Sequence, residues 1–218
     1  MLPSPDAIGA ILEGVLAGAG IAPTTFATDH DTAFATAGWR LRRAPAPDWN
    51  AVAGRLADLG VLGVEAWSAA DAVRVALLRR HLADKDDTEA ARIVDRHVRT
   101  GDNAEREAVL KGLMALPGPE RFLATAADAC RAAVLTTFAA VACDNAYPAR
   151  HFPAPAFRAM VVKAIHLGVP LARIHGLAER RDAELARMGE DYARERRLAG
   201  RPVSADLSLI AAPLGGHP

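Results

Sequence analysis

The stretch "DNAYPARHFPAPAFRAMVVKAIHLGVP", from Asp144 to Pro170, sets a polar, proline-broken loop against a helix that is apolar on almost every side. Asp144, Asn145, Tyr147 and His151 lie in the loop, and Lys163 and His166 on the helix. Phe157, Met160, Val161, Val162, Ala164, Ile165 and Leu167 surround Lys163 in sequence. An ammonium ion in such company is costly unless it meets a carboxylate, loses its proton or reaches water. A deprotonated Lys163 would act on a ligand carbonyl or acid, whereas one paired with Asp144 or Asp191 would be structural. Proton transfer near neutral pH is the second chemistry on offer, with His151 or His166 as base and Lys163, Tyr147 or Asp144 as acid or electrostatic partner.

Further candidates for ligand contact surround these five: Asn145, Phe157, Arg158, Met160, His175, Asp191, Tyr192 and Glu195. Asp191 and Glu195 stand one helical turn apart, the spacing of a paired general acid and base and equally of a solvated helix face. His151, His166 and His175 fall within 25 residues, but their spacing matches none of the compact metal motifs, and no metal or other cofactor is expected. His151 before Phe152-Pro153 and His175 before Gly176 can as well hold turns by hydrogen bonds. Near the N-terminus "TDHDT" puts Asp29, His30 and Asp31 in a row; it can cap a helix, and three consecutive residues of a regular helix cannot all face one ligand. Nucleotide and triad chemistries lack their signatures, since no GxGxxG, GxxxxGK[ST], GxSxG or HExxH pattern occurs.

Helices must position these groups. Ser4, Pro5 and Asp6 form a start signal for a helix carrying Ile8, Ile11, Leu12, Val15 and Leu16 and ending near Gly18 to Gly20. A second is predicted from Asp31 to Arg43 with Phe34, Trp39 and Leu41 as its apolar positions, and a weaker third in "DWNAVAGRLADLG". "SAADAVRVALLRRHL" opens on a Ser68-to-Asp71 capping box and runs Val73, Leu77, Leu78 and Leu82 along one face. "DTEAARIVDRHVRTG" and "DNAEREAVLKGLMALPG" each begin at an aspartate and end at glycine or Pro-Gly, as a helical hairpin does.

From Pro119 to Cys143, Phe122, Leu123, Ala126, Cys130, Val134, Phe138 and Val141 are spaced for burial on two helices broken near Cys130 to Ala133. A helix over 154–167, the turn "PLARIHGL", a charged helix ending at Gly200 and a last piece "SADLSLI" complete the chain. With no alternating run of strand length, the fold class is all-α, an irregular helical bundle or a short α-solenoid of hairpins of roughly 30 to 40 residues.

The totals suit one all-helical domain over residues 1–218, with a Gly/Pro tail at 211–218. Twenty-six basic and 26 acidic residues cancel, leaving no global field for a nucleic-acid backbone or an anionic membrane. Cys130 and Cys143 belong to no CxxC pair and read as buried reduced thiols. The N-terminal segment lacks a basic region and a spanning apolar run, so a cytoplasmic protein without membrane insertion is expected.

The stretch from Asp144 to Ser204, with "PGPERFLATAADACRAAVLTTFAAVA" before it, resembles the C-terminal signature of EboA-domain proteins; the likeness is densest over residues 116–204. "FATAGWRLRRAP" and "WSAADAVRVALL" are weaker echoes. The resemblance implies an all-helical metabolite traffic protein encoded beside a prenyltransferase-like protein, a sugar-phosphate cyclase-like protein and TIM-barrel proteins. Asp144, Asn145, Tyr147, His151, Lys163, Asp191, Tyr192, Glu195 and Arg196 are the polar positions that match. Phe157-Arg158 stands where the family tends to have Trp-Asn, and the apolar "RAAVL" from Arg131 where it tends to be polar, which suits a diverged member with its own ligand.

Three functions fit this reading. The first is binding of a small, partly apolar biosynthetic intermediate beside helix 154–167 through Lys163, His166 and His151. The second is a metal-free acid–base enzyme of secondary metabolism using the same corner, and the third an adaptor docking other enzymes of the cluster through helix 181–199. A homodimer is the default assembly.

Overall fold

The computed structural model describes residues 7–26 and 29–211. The fold is all-α, an irregular helical bundle with no strand among the described residues. Thirteen α-helices are described there: α1 Ala7–Gly18, α2 His30–Arg40, α3 Ala53–Asp58, α4 Ala69–Leu82, α5 Asp87–Thr100, α6 Asn103–Lys111, α7 Leu123–Arg131, α8 Leu135–Ala142, α9 Tyr147–His151, α10 Ala154–Leu167, α11 Leu177–Arg180, α12 Ala183–Leu198 and α13 Ser208–Ala211. Short 3₁₀ turns fill several of the connections.

Side-chain caps set five of the described helix starts. Ser68 and Asp71 form a reciprocal capping box on α4, as Asp102 and Glu105 do on α6. Asp29, Asp86 and Asp182 accept backbone N–H groups at the starts of α2, α5 and α12. The cap expected at Ser4 and the tail beyond Ala211 lie outside the described residues. The break between α7 and α8 falls at Ala132 to Val134, and α10 stops at Gly168, whose positive φ of 69° suits a residue without a Cβ.

Helix α4 is the hub, packed against α1, α2 and α6. It is buried on more than one face, and even Arg74 is 3% exposed, donating from Nε to the Phe34 carbonyl at 3.2 Å with Glu105 at 3.9 Å. One continuous cluster of buried side chains runs from Ile11 to Ile210.

Three expectations are corrected. Helix α2 spans His30–Arg40, not Asp31 to Arg43, because the chain leaves the helical conformation at Leu41, where φ is −100° and ψ 7°. Trp39 is 70% exposed; Ala33, Phe34 and Ala37 form the buried face, and the Trp39 ring carries Arg42 at 5.2 Å. Val134 lies in the break before α8 and is exposed.

Candidate functional site

The structure separates the polar corner into distinct tasks. Lys163, half-buried on α10, donates from Nζ to the carbonyls of Cys130 at 2.7 Å and Ala132 at 2.6 Å and lies 5.1 Å from the Phe138 ring centroid. The last carbonyls of a helix have no partner within it and carry its negative dipole end, so this ammonium caps α7. Its partners are backbone oxygens of the α7–α8 break, not Asp144 or Asp191.

Asn145 is 4% exposed; its side-chain amide donates to the Leu110 and Ala140 carbonyls at 3.1 and 3.0 Å and its oxygen accepts from the Tyr147 N–H at 2.9 Å. One side chain thus ties α6, α8 and α9 together. Tyr147 is fully buried, donates its hydroxyl to the Pro119 carbonyl at 2.8 Å, and is held protonated by burial well above the usual phenol range. His151 lies with its ring 4.7 Å from that of Tyr147, and burial lowers its pKa, with Glu120 opposing. Its Nε2 is closed off from solvent without a hydrogen-bond partner.

The remaining candidates are dispersed. His166 is exposed, with Nδ1 2.8 Å from its own helix's Val162 carbonyl and its ring edge-on to Tyr192 of α12 at 4.7 Å. Phe157 and Met160 are core residues. Arg158 pairs with Asp182, the residue that caps α12. Asp191 pairs with Arg187 and Arg194 of its own helix, and Glu195 is exposed on the same helix. His175 is exposed in an open groove with Leu177 and Leu209. Among the described residues, His151, His166 and His175 take part in no group of three atoms able to share one ion.

Arg180 fixes the floor beneath the loop. Its guanidinium donates to the carbonyls of Pro148, Ala149 and Phe152 at 2.8 to 3.0 Å and covers the Phe157 ring at 4.6 Å. Five donors in a rigid fork allow one side chain to serve three acceptors.

At the other side of the same loop lies a cleft of ≈ 210 Å³. Asp144 turns the chain into it with φ 51°, a left-handed conformation that aspartate tolerates better than most residues. Arg173 holds this turn twice: its guanidinium donates to the Asp144 carboxylate at 2.6 and 3.0 Å, and its carbonyl accepts the Asp144 N–H at 2.8 Å. Gly63, itself at φ 69°, is pressed against the turn, and a Cβ there would stand 2.7 Å from the Asp144 carbonyl oxygen. The 62–67 segment supplies Leu62 and Trp67, α6 supplies Glu107 and Lys111, and α8 supplies Thr136 and Ala139. Lys111 stands 3.5 Å from Asp71, inside the capping box of α4. Burial keeps the Cys143 thiol protonated, with Arg173 opposing.

The cleft therefore combines apolar wall with two cations and two carboxylates from four parts of the chain. Of the residues expected to touch a ligand, it includes Asp144 and Asn145. It adds Trp67, Glu107, Lys111 and Arg173, whose separation along the chain hides them from a reading by spacing.

Residues 61–211 match the family model described as "Metabolite traffic protein EboA", and every residue of the cleft falls inside that range. No curated protein and no solved structure matches the chain. Because the match covers well over half of the 218 residues, the chain belongs to the EboA family.

Proposed function

We propose that the protein handles a metabolite by holding a small, partly apolar biosynthetic intermediate, bearing a carboxylate or phosphate, in the cleft beside the Asp144 turn. The observation that carries this reading is the juxtaposition of Lys111 and Arg173 with the apolar wall of Leu62, Trp67 and Ala139. Pockets of this kind orient a ligand with a few polar groups against hydrophobic lining, and the volume suits a compact molecule below the usual drug-sized range. Asp71 and Asp144 occupy the two cations in the empty cleft, so an anionic ligand group would exchange with one of them.

Binding is favoured because two of the groups considered for proton transfer are committed elsewhere: Lys163 to two carbonyls and the Tyr147 hydroxyl to a third. The site beside α10 is accordingly moved to the opposite side of the loop.

Native mass spectrometry of the protein purified from cells expressing its neighbouring genes tests the reading. Thr136 is exposed and lines the cleft, so Thr136→Trp fills it without touching the core. An organic mass on the wild type that is lost from Thr136→Trp is expected. Equal retention by both proteins, or a bare wild type, contradicts the proposal.

A further inference from the structure

Away from the cleft, three helices bring histidines to one point. His30 opens α2, His81 lies in the last turn of α4 and His97 in the last turn of α5. The His30 and His97 Nε2 atoms face each other at 3.1 Å. Asp31 follows His30 and places its Oδ1 3.9 Å from His97 Nε2. The ligand atoms of His30, Asp31 and His97 all lie within 4.8 Å of one another. His81 stacks on His30 at 4.1 Å with the rings 8° from parallel, so it covers a ring face and leaves the nitrogens free to converge elsewhere. Phe34 packs on His97 at 4.3 Å and fixes that ring from the core side.

The geometry allows two states. Without an ion, one imidazole donates its Nε2 hydrogen to the other. With an ion, both present lone pairs. Two imidazole nitrogens bound to tetrahedral zinc at ~2.0–2.1 Å stand about 3.3–3.4 Å apart, so the present spacing needs a few tenths of an ångström of opening and a turn of each ring that aims both lone pairs at the ion. Burial, the largest influence on each ring, lowers the pKa of both to about 4, which keeps the imidazoles in the neutral form that ligates metals. Asp31 is exposed and bound at 2.9 Å to Arg96, a surface pair that costs little to exchange. The last turns of α4 and α5 direct their negative dipole ends toward the group, while the first turn of α2 opposes them.

We propose that His30, His97 and Asp31 form a binding site for a first-row divalent transition-metal ion, zinc above all. Two neutral imidazoles and one carboxylate are a donor set that zinc accepts, and three protein ligands on a four-coordinate ion leave one position for water or an oxygen ligand. His30 and Asp31 precede the segment 61–211 that matches the family, so two of the three ligands belong to α2, outside that segment.

Titration of metal-stripped, tag-free full-length protein with zinc against a chromophoric chelator is the test, with the cobalt absorption spectrum as a second readout. The wild type is expected to take up one zinc per chain in competition with a micromolar chelator, and cobalt to give the intense visible bands of low-coordinate geometry. Asp31→Asn, at an exposed position that leaves the core intact, is expected to weaken zinc at least tenfold. His30→Gln is expected to abolish uptake, with its melting curve confirming that it folds. Absence of uptake by the wild type, or unchanged affinity in Asp31→Asn and a folded His30→Gln, overturns the site.

Discussion

Two side chains show how the surroundings of a residue decide its chemistry. Lys163 looks like a catalytic amine on its helix, yet it completes α7 by serving two carbonyls that the α7–α8 break leaves open. Lys163→Ala is therefore expected to destabilise the fold by about 1–3 kcal/mol in urea unfolding, the cost of leaving buried acceptors unpaired. It should leave occupancy of the Asp144 cleft unchanged. His151 titrates below its ordinary 6.5 because burial penalises its cation. As pH falls through that value the unfolded chain takes the proton first, so His151 subtracts stability in acid and is neutral above it. Wild type should lose more stability between about pH 7 and 5 than His151→Phe, and the His151 ring protons should titrate in NMR with a midpoint under 6.5.

At the scale of elements, caps and close approaches dominate. Ser68→Ala removes one half of the α4 capping box and is expected to cost ~1 kcal/mol in urea unfolding. Gly63→Ala is expected to be worse than a simple loss of glycine freedom, because its Cβ would press on the Asp144 carbonyl and the positive φ would be strained as well. The measurable signature is a lower melting temperature together with shifted amide resonances at Asp144 and Arg173. A lower melting temperature with those resonances unmoved would separate the strain at Gly63 from the shape of the cleft.

Across the whole molecule, the buried cluster joins the N-terminal helices to α13 without interruption. Thermal unfolding followed by far- and near-ultraviolet circular dichroism should accordingly show one coincident transition; two separated transitions would divide the chain into independent units. The elements were legible in the sequence because their signals are local: Ser68 and Asp71, or Asp102 and Glu105, lie three residues apart. Trp39 misled because helical period marks a face without saying which side of it the neighbours cover. The sites were far less legible. The carbonyls that hold Lys163 come from a break in the chain more than 30 residues away, and His30 meets His97 across 67 positions. Neither partner has a spacing that a sequence displays. The run of three polar residues at Asp29 divides its labour, with one capping α2 while the next two face His97.

The fork of Arg180 has a consequence for motion. Three of the carbonyls bordering α9 are fastened to a single guanidinium on α11, so the two short helices can open only together. Amide hydrogens of residues 147–152 and 177–180 should then exchange with solvent at matched opening free energies, as one cooperative unit within the bundle. The Asp144 turn is fastened separately, by Arg173, so its amide should exchange on its own schedule rather than with that unit.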